Sequence, residues 1–236
     1  MVRVVNSNYG QTNTEICVHD KGEVVSDSIF YTKNFFEIKF LDYIANKFNK
    51  QTGILDIGAN IGNHSLFFAK FFKCDMVYSF EPFPANVSLL KANMQNFANK
   101  SKIYEIALSN KEGTMPLYNS QKENYGGFSL HSYSDDISFV VEQSINVITL
   151  DSLNLENISM IKIDVENHEN EVLEGSKQTI LRNKPIIFIE NLYHGYPKVC
   201  PNPNPHQAIL DELKYQRIET NILGSFMDLW VPFTPC

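Results

Sequence analysis

Leu55-Asp56-Ile57-Gly58-Ala59-Asn60-Ile61-Gly62 ends an apolar run and opens a helix, the strand–turn–helix setting that a nucleotide-type fingerprint requires. Gly58 and Gly62 stand where a Cβ would block a tight turn and keep the backbone away from a ligand. The spacing is not the G-x-G-x-x-G of dinucleotide binders, whose helix N-terminus holds a pyrophosphate. Here Asp56 puts an acid at the strand end, which suits a cationic ligand rather than an anionic one. A plain packing turn is the alternative, but Gly-Ala-Asn-Ile-Gly carries more small and polar residues than packing needs.

From this bend outward the chain alternates strand and helix. Residues 54–57 read as a strand, followed by a helix through residue 72, a strand over 76–80, a helix opening at Pro84, and a strand over 103–107. Later come a strand over 160–164, a helix over 169–182, and strands over 185–190, 216–219 and 226–231. Such alternation implies a parallel sheet and a doubly wound α/β fold. Pro84 sits where a helix tolerates it, and Val87, Leu90 and Met94 give that helix a buried stripe. Upstream, residues 15–18 and 23–25 flank Asp20-Lys21-Gly22 and read as a hairpin. Phe36, Phe40, Ile44 and Phe48 recur every four positions and give residues 34–49 an apolar helical face. Residues 1–50 therefore form an N-terminal hairpin and helix extension packed on a main domain at 51–236. Residues 110–147, with the turn-rich Asn124-Tyr125-Gly126-Gly127, form an insertion of the length expected of a lid or binding element.

The second mark is Glu81, in Phe80-Glu81-Pro82, about 25 residues after Asp56. An acid at the end of the second strand is placed to accept hydrogen bonds from both ribose hydroxyls of a nucleoside. Ala107 and Leu108, ending the third strand, are placed to flank a purine. S-adenosyl-L-methionine, with its amino acid and sulfonium near the acid and its ribose on Glu81, fits this pattern. The expected cofactor-binding set is Asp56, Gly58, Ala59, Asn60, Gly62, Asn63, Glu81, Pro82, Ala107 and Leu108.

The 236 residues, with 43% hydrophobic and 20% charged content, suit one globular unit that buries a sizeable core without staples. Cys17, Cys74, Cys200 and Cys236 are scattered singly, without zinc or disulfide spacing. The start lacks a secretory layout, and Lys70, Lys73 and Asp75 interrupt the most aromatic stretch, so a cytoplasmic protein without a membrane span is expected. A formal charge of −7 argues against an extended nucleic-acid footprint.

Four ordered motifs resemble the FkbM-type methyltransferases: residues 56–62, Phe80-Glu81-Pro82, Ile148-Thr149-Leu150-Asp151-Ser152-Leu153, and Ile161-Lys162-Ile163-Asp164-Val165-Glu166-Asn167-His168-Glu169 with Val172-Leu173-Glu174-Gly175. The resemblance runs from about residue 36 to residue 190. It implies a Rossmann-like, seven-stranded, mostly parallel sheet and O-methylation of sugars, glycans or related small molecules, with S-adenosyl-L-homocysteine as product. Asn167 departs from the family, which has Gly there.

Ligands of open α/β sheets lie beyond the carboxyl ends of the strands, so Asp164 and Glu190 are the first catalytic candidates. Two mechanisms remain open. His168, four residues after Asp164, has a pKa suited to taking a hydroxyl proton. Alternatively, Asp164, Glu190 and Asn191 hold Mg²⁺ or Mn²⁺, a set that resembles the metal sites of some sugar O-methyltransferases. Glu166 and Glu169 read as helix N-terminal acids. Tyr193, His194, Tyr196 and His206 border a Pro-rich loop and are candidates for an acceptor wall. Competing functions are a silent cofactor-binding scaffold, an NAD-dependent oxidoreductase disfavoured by the glycine spacing, and an RNA 2′-O-methyltransferase built on Lys162 and Asp164, disfavoured by the acidic charge.

Overall fold

A computed structural model describes residues 2–119, 128–130, 140–198 and 200–233. In chain order the strands are β1 (Val2–Tyr9), β2 (Thr12–His19), β3 (Gly53–Ile57), β4 (Met76–Phe80), β5 (Ser101–Tyr104), β6 (Ala107–Leu108), β7 (Gly113–Asn119), β8 (Phe128–Ser129), β9 (Val140–Ile148), β10 (Ile158–Ile163), β11 (Ile186–Glu190), β12 (Tyr215–Glu219) and β13 (Met227–Pro232). The α-helices are α1 (Val24–Thr32), α2 (Ile38–Phe48), α3 (Asn63–Phe71), α4 (Pro84–Met94), α5 (Glu169–Glu174), α6 (Lys177–Asn183) and α7 (Gln207–Glu212).

Seven strands form the central sheet in the order β12-β13-β11-β10-β3-β4-β5. β11, β10, β3, β4 and β5 pair in parallel, and β13 runs against both its neighbours. The expected doubly wound, mostly parallel α/β fold is therefore the observed one. Strand alternation divides the core in two. On β3, Ile54 packs with Phe40, Ile44, Phe67, Phe68 and Leu90 on the α2–α4 face, while Leu55 and Ile57 pack with Val172, Leu173, Ile180 and Trp230 on the α5–α7 face. The chain leaves β3 for β4 on one side and reaches β10 on the other, so a crevice opens at the carboxyl end of β3.

Three local expectations are corrected. The N-terminal hairpin is β1–β2, turning at Gly10 with φ 58°, and residues 24–32 are helical. Glu23 explains the shift: its carboxylate caps α1 by accepting from Val25 N at 2.9 Å and Ser26 N at 2.6 Å. The helix expected over 169–182 is two helices. Gly175 stands at the break, where a Cβ would overlap the Ser109 carbonyl, and Asp151 caps α6 by accepting from Gln178 N at 3.0 Å and Thr179 N at 2.7 Å. The third strand divides, β5 staying in the main sheet and β6 joining a four-stranded sheet in the order β6-β9-β7-β8. That second sheet occupies most of the described part of the insertion, and Leu117, Leu130, Ile145 and Val147 form its own small core. Residues 124–127 lie outside the described residues, as does Cys236.

Candidate active site

A cavity of about 780 Å³ opens at the carboxyl ends of β3, β4, β10 and β11, in the size range of small-molecule sites. Its floor is the predicted bend: Gly58, Ala59, Asn60 and Asn63 line it, with Glu81 and Pro82 beside them. Ala107 and Leu108 line it as well, joined by Leu117 and Leu130 of the second sheet. These two leucines were not legible in the sequence, because the insertion shows no periodicity that places them.

Glu81 is a buried carboxylate held from below. Asn60 N donates to Oε2 at 2.9 Å and Phe83 N to Oε1 at 2.9 Å. Burial raises its pKa to about 7, opposed by those backbone hydrogen bonds. The Asn86 side chain also hydrogen-bonds this carboxylate. Of its roughly four lone-pair sites one is left to accept from a ribose hydroxyl.

Asp56 and Gly62 do not line the cavity, and each has a physical reason. Asp56 shares its strand face with Ile54, which directs it towards α3. There it accepts from Ser65 Oγ at 2.6 Å and lies 3.4 Å from Lys162 Nζ, and Ser65 in turn meets Ser79 at 2.7 Å. The register pairs Asp56 with Lys162 and with Ser79, so the three neighbours emerge on one face. Asp56 thus secures Lys162 rather than reaching a ligand. Gly62, with φ 85°, begins α3, and a Cβ there would stand 2.6 Å from Leu90 Cδ1. Gly58, with φ 79°, is required because a Cβ would overlap the Asp164 carbonyl. Both glycines therefore serve close approach within the fold.

Lys162 is 1% exposed and spends its ammonium on Asp164 Oδ2 at 3.1 Å, Asp56, and the Gly58 carbonyl at 3.2 Å. Burial works against its charge, but Asp164 and Asp56 outweigh that and hold its pKa above the ordinary value. Lys162 lines the cavity beside Asp164, with its ammonium engaged by three protein partners.

Asp164, Glu166, His168 and Glu190 gather at the cavity's second end. His168 is buried, with Nε2 3.0 Å from Ser109 Oγ and Nδ1 3.6 Å from Glu171 Oε2, so both ring nitrogens face protein groups. Glu190 differs: it is 9% exposed, lines the cavity, and its Oε2 has no hydrogen-bond partner among the described residues. Burial and the negative charges of Asp164, Glu166 and Glu169 push its pKa well above the carboxylate range. Glu169 does not line the cavity. It is buried, accepts from Val165 N at 3.0 Å, and is raised to about 7 by burial.

Asn191 turns away from this cluster. Its amide donates to Asp228 Oδ2 at 3.1 Å and to the Pro203 carbonyl at 3.1 Å, while Oδ1 accepts from Tyr193 N at 3.2 Å. Asn191 does not line the cavity and so does not stand as a third ligand beside Asp164 and Glu190, and the described residues hold no group of three His, Cys, Asp or Glu side chains suited to a metal ion. The divalent-metal expectation is therefore not supported. Of the loop candidates, Tyr196 lines the cavity, His194 meets Asp228 at 2.8 Å, and His206 lies beneath Glu190, with Nε2 2.8 Å from its backbone oxygen. Glu166 and Asn167 adopt φ 55° and 72°, so the family's glycine position is left-handed here, and Asn is among the side chains that tolerate it.

Residues 56–217, more than half of the chain, match the model of the methyltransferase FkbM domain. A curated relative, the 2-O-methyltransferase NoeI of Sinorhizobium fredii, is 27% identical over 179 residues, covering 68% of this chain and 70% of the relative. The crystal structure of methyltransferase FkbM from Methylobacillus flagellatus superposes with a TM-score of 0.55 at 16% identity, covering 91% of this chain, which spans 56% of that structure's length. The protein PH0793 of Pyrococcus horikoshii superposes with a TM-score of 0.52 at 15% identity, over 98% of this chain and 70% of that one. A Rossmann-like sheet, a carboxylate-floored cavity at its switch point and the matched motifs lead to one statement: this chain belongs to the FkbM methyltransferase family.

Proposed function

We propose that this protein transfers a methyl group from S-adenosylmethionine to a hydroxyl oxygen of a sugar, glycan or related small molecule in the cytoplasm. The observation that carries the reading is a single cavity bounded by two buried carboxylates with different roles: Glu81, held by backbone donors, and Glu190, whose Oε2 has no protein partner among the described residues. β4 and β11 are three strand spacings apart in the sheet order, which separates the two strand ends by roughly 14 Å. That span accommodates a nucleoside on Glu81 and an acceptor hydroxyl near Glu190. The name of the relative from S. fredii, a 2-O-methyltransferase, supports oxygen as the acceptor atom. The described cysteines Cys17, Cys74 and Cys200 are unbonded, in keeping with a reducing compartment.

The bound cofactor supplies an electrophilic methyl group on a sulfonium centre. Gly58, Ala59 and Asn60 would form the floor beneath it, Glu81 would accept from its ribose, and Leu108, Leu117 and Leu130 would provide an apolar wall for the base. At the other end Glu190, in its ionised form, would accept the proton of the acceptor hydroxyl. His168, fixed between Ser109 and Glu171, and Asp164, fixed by Lys162, shape that end. Positioning of two reactants supplies effective molarities of about 10⁵ M or more, against roughly 10²- to 10⁴-fold from one base. Binding geometry therefore dominates, and the reaction class rests on the cavity more than on the identity of the base.

The test is calorimetric titration with S-adenosylmethionine and S-adenosylhomocysteine, followed by methyl transfer to a panel of neutral sugars. Saturable binding with methylation of a hydroxyl is expected; absence of binding at millimolar ligand overturns the reading.

A further inference from the structure

Residues 2–37 precede both the glycine bend and the matched family region, yet Glu23, Val24, Val25, Ser28, Phe36 and Glu37 line the cavity. Val24, Val25 and Ser28 fall at i, i+1 and i+4 on α1, so one face of this helix supplies the wall. A nine-residue helix is marginal by itself, and α1 buries only Ser26 and Ile29. Val24, 58% exposed, leaves apolar surface beside the cavity that a ligand would cover.

Beside the packing of Ile16, Val18, Ile29 and Phe35 in the main core, polar side chains latch this segment onto the glycine bend, α3 and α4. The Asn63 side chain clasps the Phe36 backbone, accepting from its N at 3.0 Å and donating to its carbonyl at 3.2 Å. Glu37 Oε2 lies 3.2 Å from His64 Nε2. His19 Nε2 meets Asn86 Oδ1 at 2.9 Å. Most direct is Glu23, fully buried, which caps α1 with both carboxylate oxygens while Oε1 also accepts from Asn60 Nδ2 at 3.4 Å. Asn60 has a left-handed φ of 51°, and its own N–H donates to Glu81. One carboxylate thus joins the start of α1 to the residue that presents Glu81.

We infer that residues 23–28 are part of the cofactor site: Val25 and Ser28 close its nucleoside half, and Glu23 is the positioning residue that fixes Asn60 against Glu81. The inference rests on the reading above that Glu81 holds the ribose. It makes the extension a component of the site rather than a support behind it, and it couples ordering of α1 to cofactor binding.

The experiment titrates the full chain, Glu23→Gln and Ser28→Trp with S-adenosylhomocysteine by calorimetry, with amide hydrogen exchange of the unsubstituted protein in the presence and absence of that ligand. Glu23→Gln is expected to weaken binding about ten-fold, the loss of one charge-assisted hydrogen bond. Ser28→Trp, a partly exposed position that leaves the α1 cap intact, should weaken it at least as much with little change in the ligand-free melting temperature. Amides of residues 24–32 should gain protection on binding. If Glu23→Gln does not fold, Ser28→Trp and the exchange data decide the matter. Unchanged affinity in the folded variants, with no added protection in α1, overturns the inference. Absence of binding to the unsubstituted protein overturns the proposed function itself.

Discussion

At the scale of single residues, three side chains carry separable consequences. Glu190→Gln keeps the shape of a buried group but removes the proton acceptor, so turnover should fall by roughly 10²- to 10⁴-fold while S-adenosylhomocysteine affinity changes little. Full turnover in that variant, read in a methyl-transfer assay, would remove Glu190 from the chemistry. Gly58→Ala adds a Cβ at φ 79° into the Asp164 carbonyl, and the strain together with the overlap should cost about 3 kcal/mol or more in urea denaturation. Glu81 has a pKa raised to about 7, whereas a ribose hydroxyl donating to it favours the ionised form and lowers that value. Cofactor binding near neutral pH should therefore release a proton. Calorimetry in two buffers of different ionisation enthalpy measures it, and identical apparent enthalpies would contradict the ribose contact.

Between elements, the polar side chains that join them decide the arrangement. Asn93 of α4 accepts from Cys17 N at 2.6 Å and donates to the carbonyls of Cys17 at 2.9 Å and Ile61 at 2.7 Å, which ties the hairpin strand β2 to the cofactor bend. Replacing it with alanine leaves three backbone groups unpaired, that of Ile61 buried and the two of Cys17 part-buried, and is expected to destabilise the fold by about 2–4 kcal/mol. A loss of less than about 0.5 kcal/mol in the same denaturation assay would show that water replaces the amide there. Asp151 illustrates how a motif residue acts between elements: it stands in the Thr-Leu-Asp-Ser-Leu stretch and caps α6, so its presence in the motif is accounted for by structure rather than by ligand binding. The break between α5 and α6 has the same character, since the Ser109 carbonyl that a Cβ at Gly175 would overlap comes from a distant segment.

For the molecule as a whole, buried acids make stability depend on pH in a stated direction. Glu81 and Glu169 have folded-state values raised to about 7, so each contributes stability that is present below its unfolded value of 4.5 and is lost as pH rises through 7. His206 has the opposite sign: its value, lowered to about 4, makes the fold gain stability as pH rises from 4 to 6.5, after which it contributes no further change. Above about pH 6 the acids prevail, and the ligand-free protein should show a lower denaturation midpoint at about pH 7.5 than at about pH 6. A higher midpoint at the upper pH would contradict the burial of these carboxylates. Bound cofactor should reduce the difference, because it partners Glu81.

The alternation of apolar runs and helical stripes from residue 53 onward, the bend at residues 56–62, and the acid at residue 81 were sufficient to indicate a doubly wound sheet, its switch point and part of the cavity floor. These are local signals: strand alternation, glycine at positive φ and a carboxylate at a strand tip are written within a few residues of one another. The partners of those residues are not. Asp56 and Lys162 meet only because β3 and β10 pair in a particular register, Gly58 is required by a carbonyl 106 positions later, and Asn191 is drawn from the cavity by Asp228. That Glu190 keeps an oxygen without a protein partner among the described residues while the Asn191 amide beside it is held by Asp228 and Pro203 depends on which distant groups arrive at each atom. Long-range pairing, not local propensity, sets that outcome.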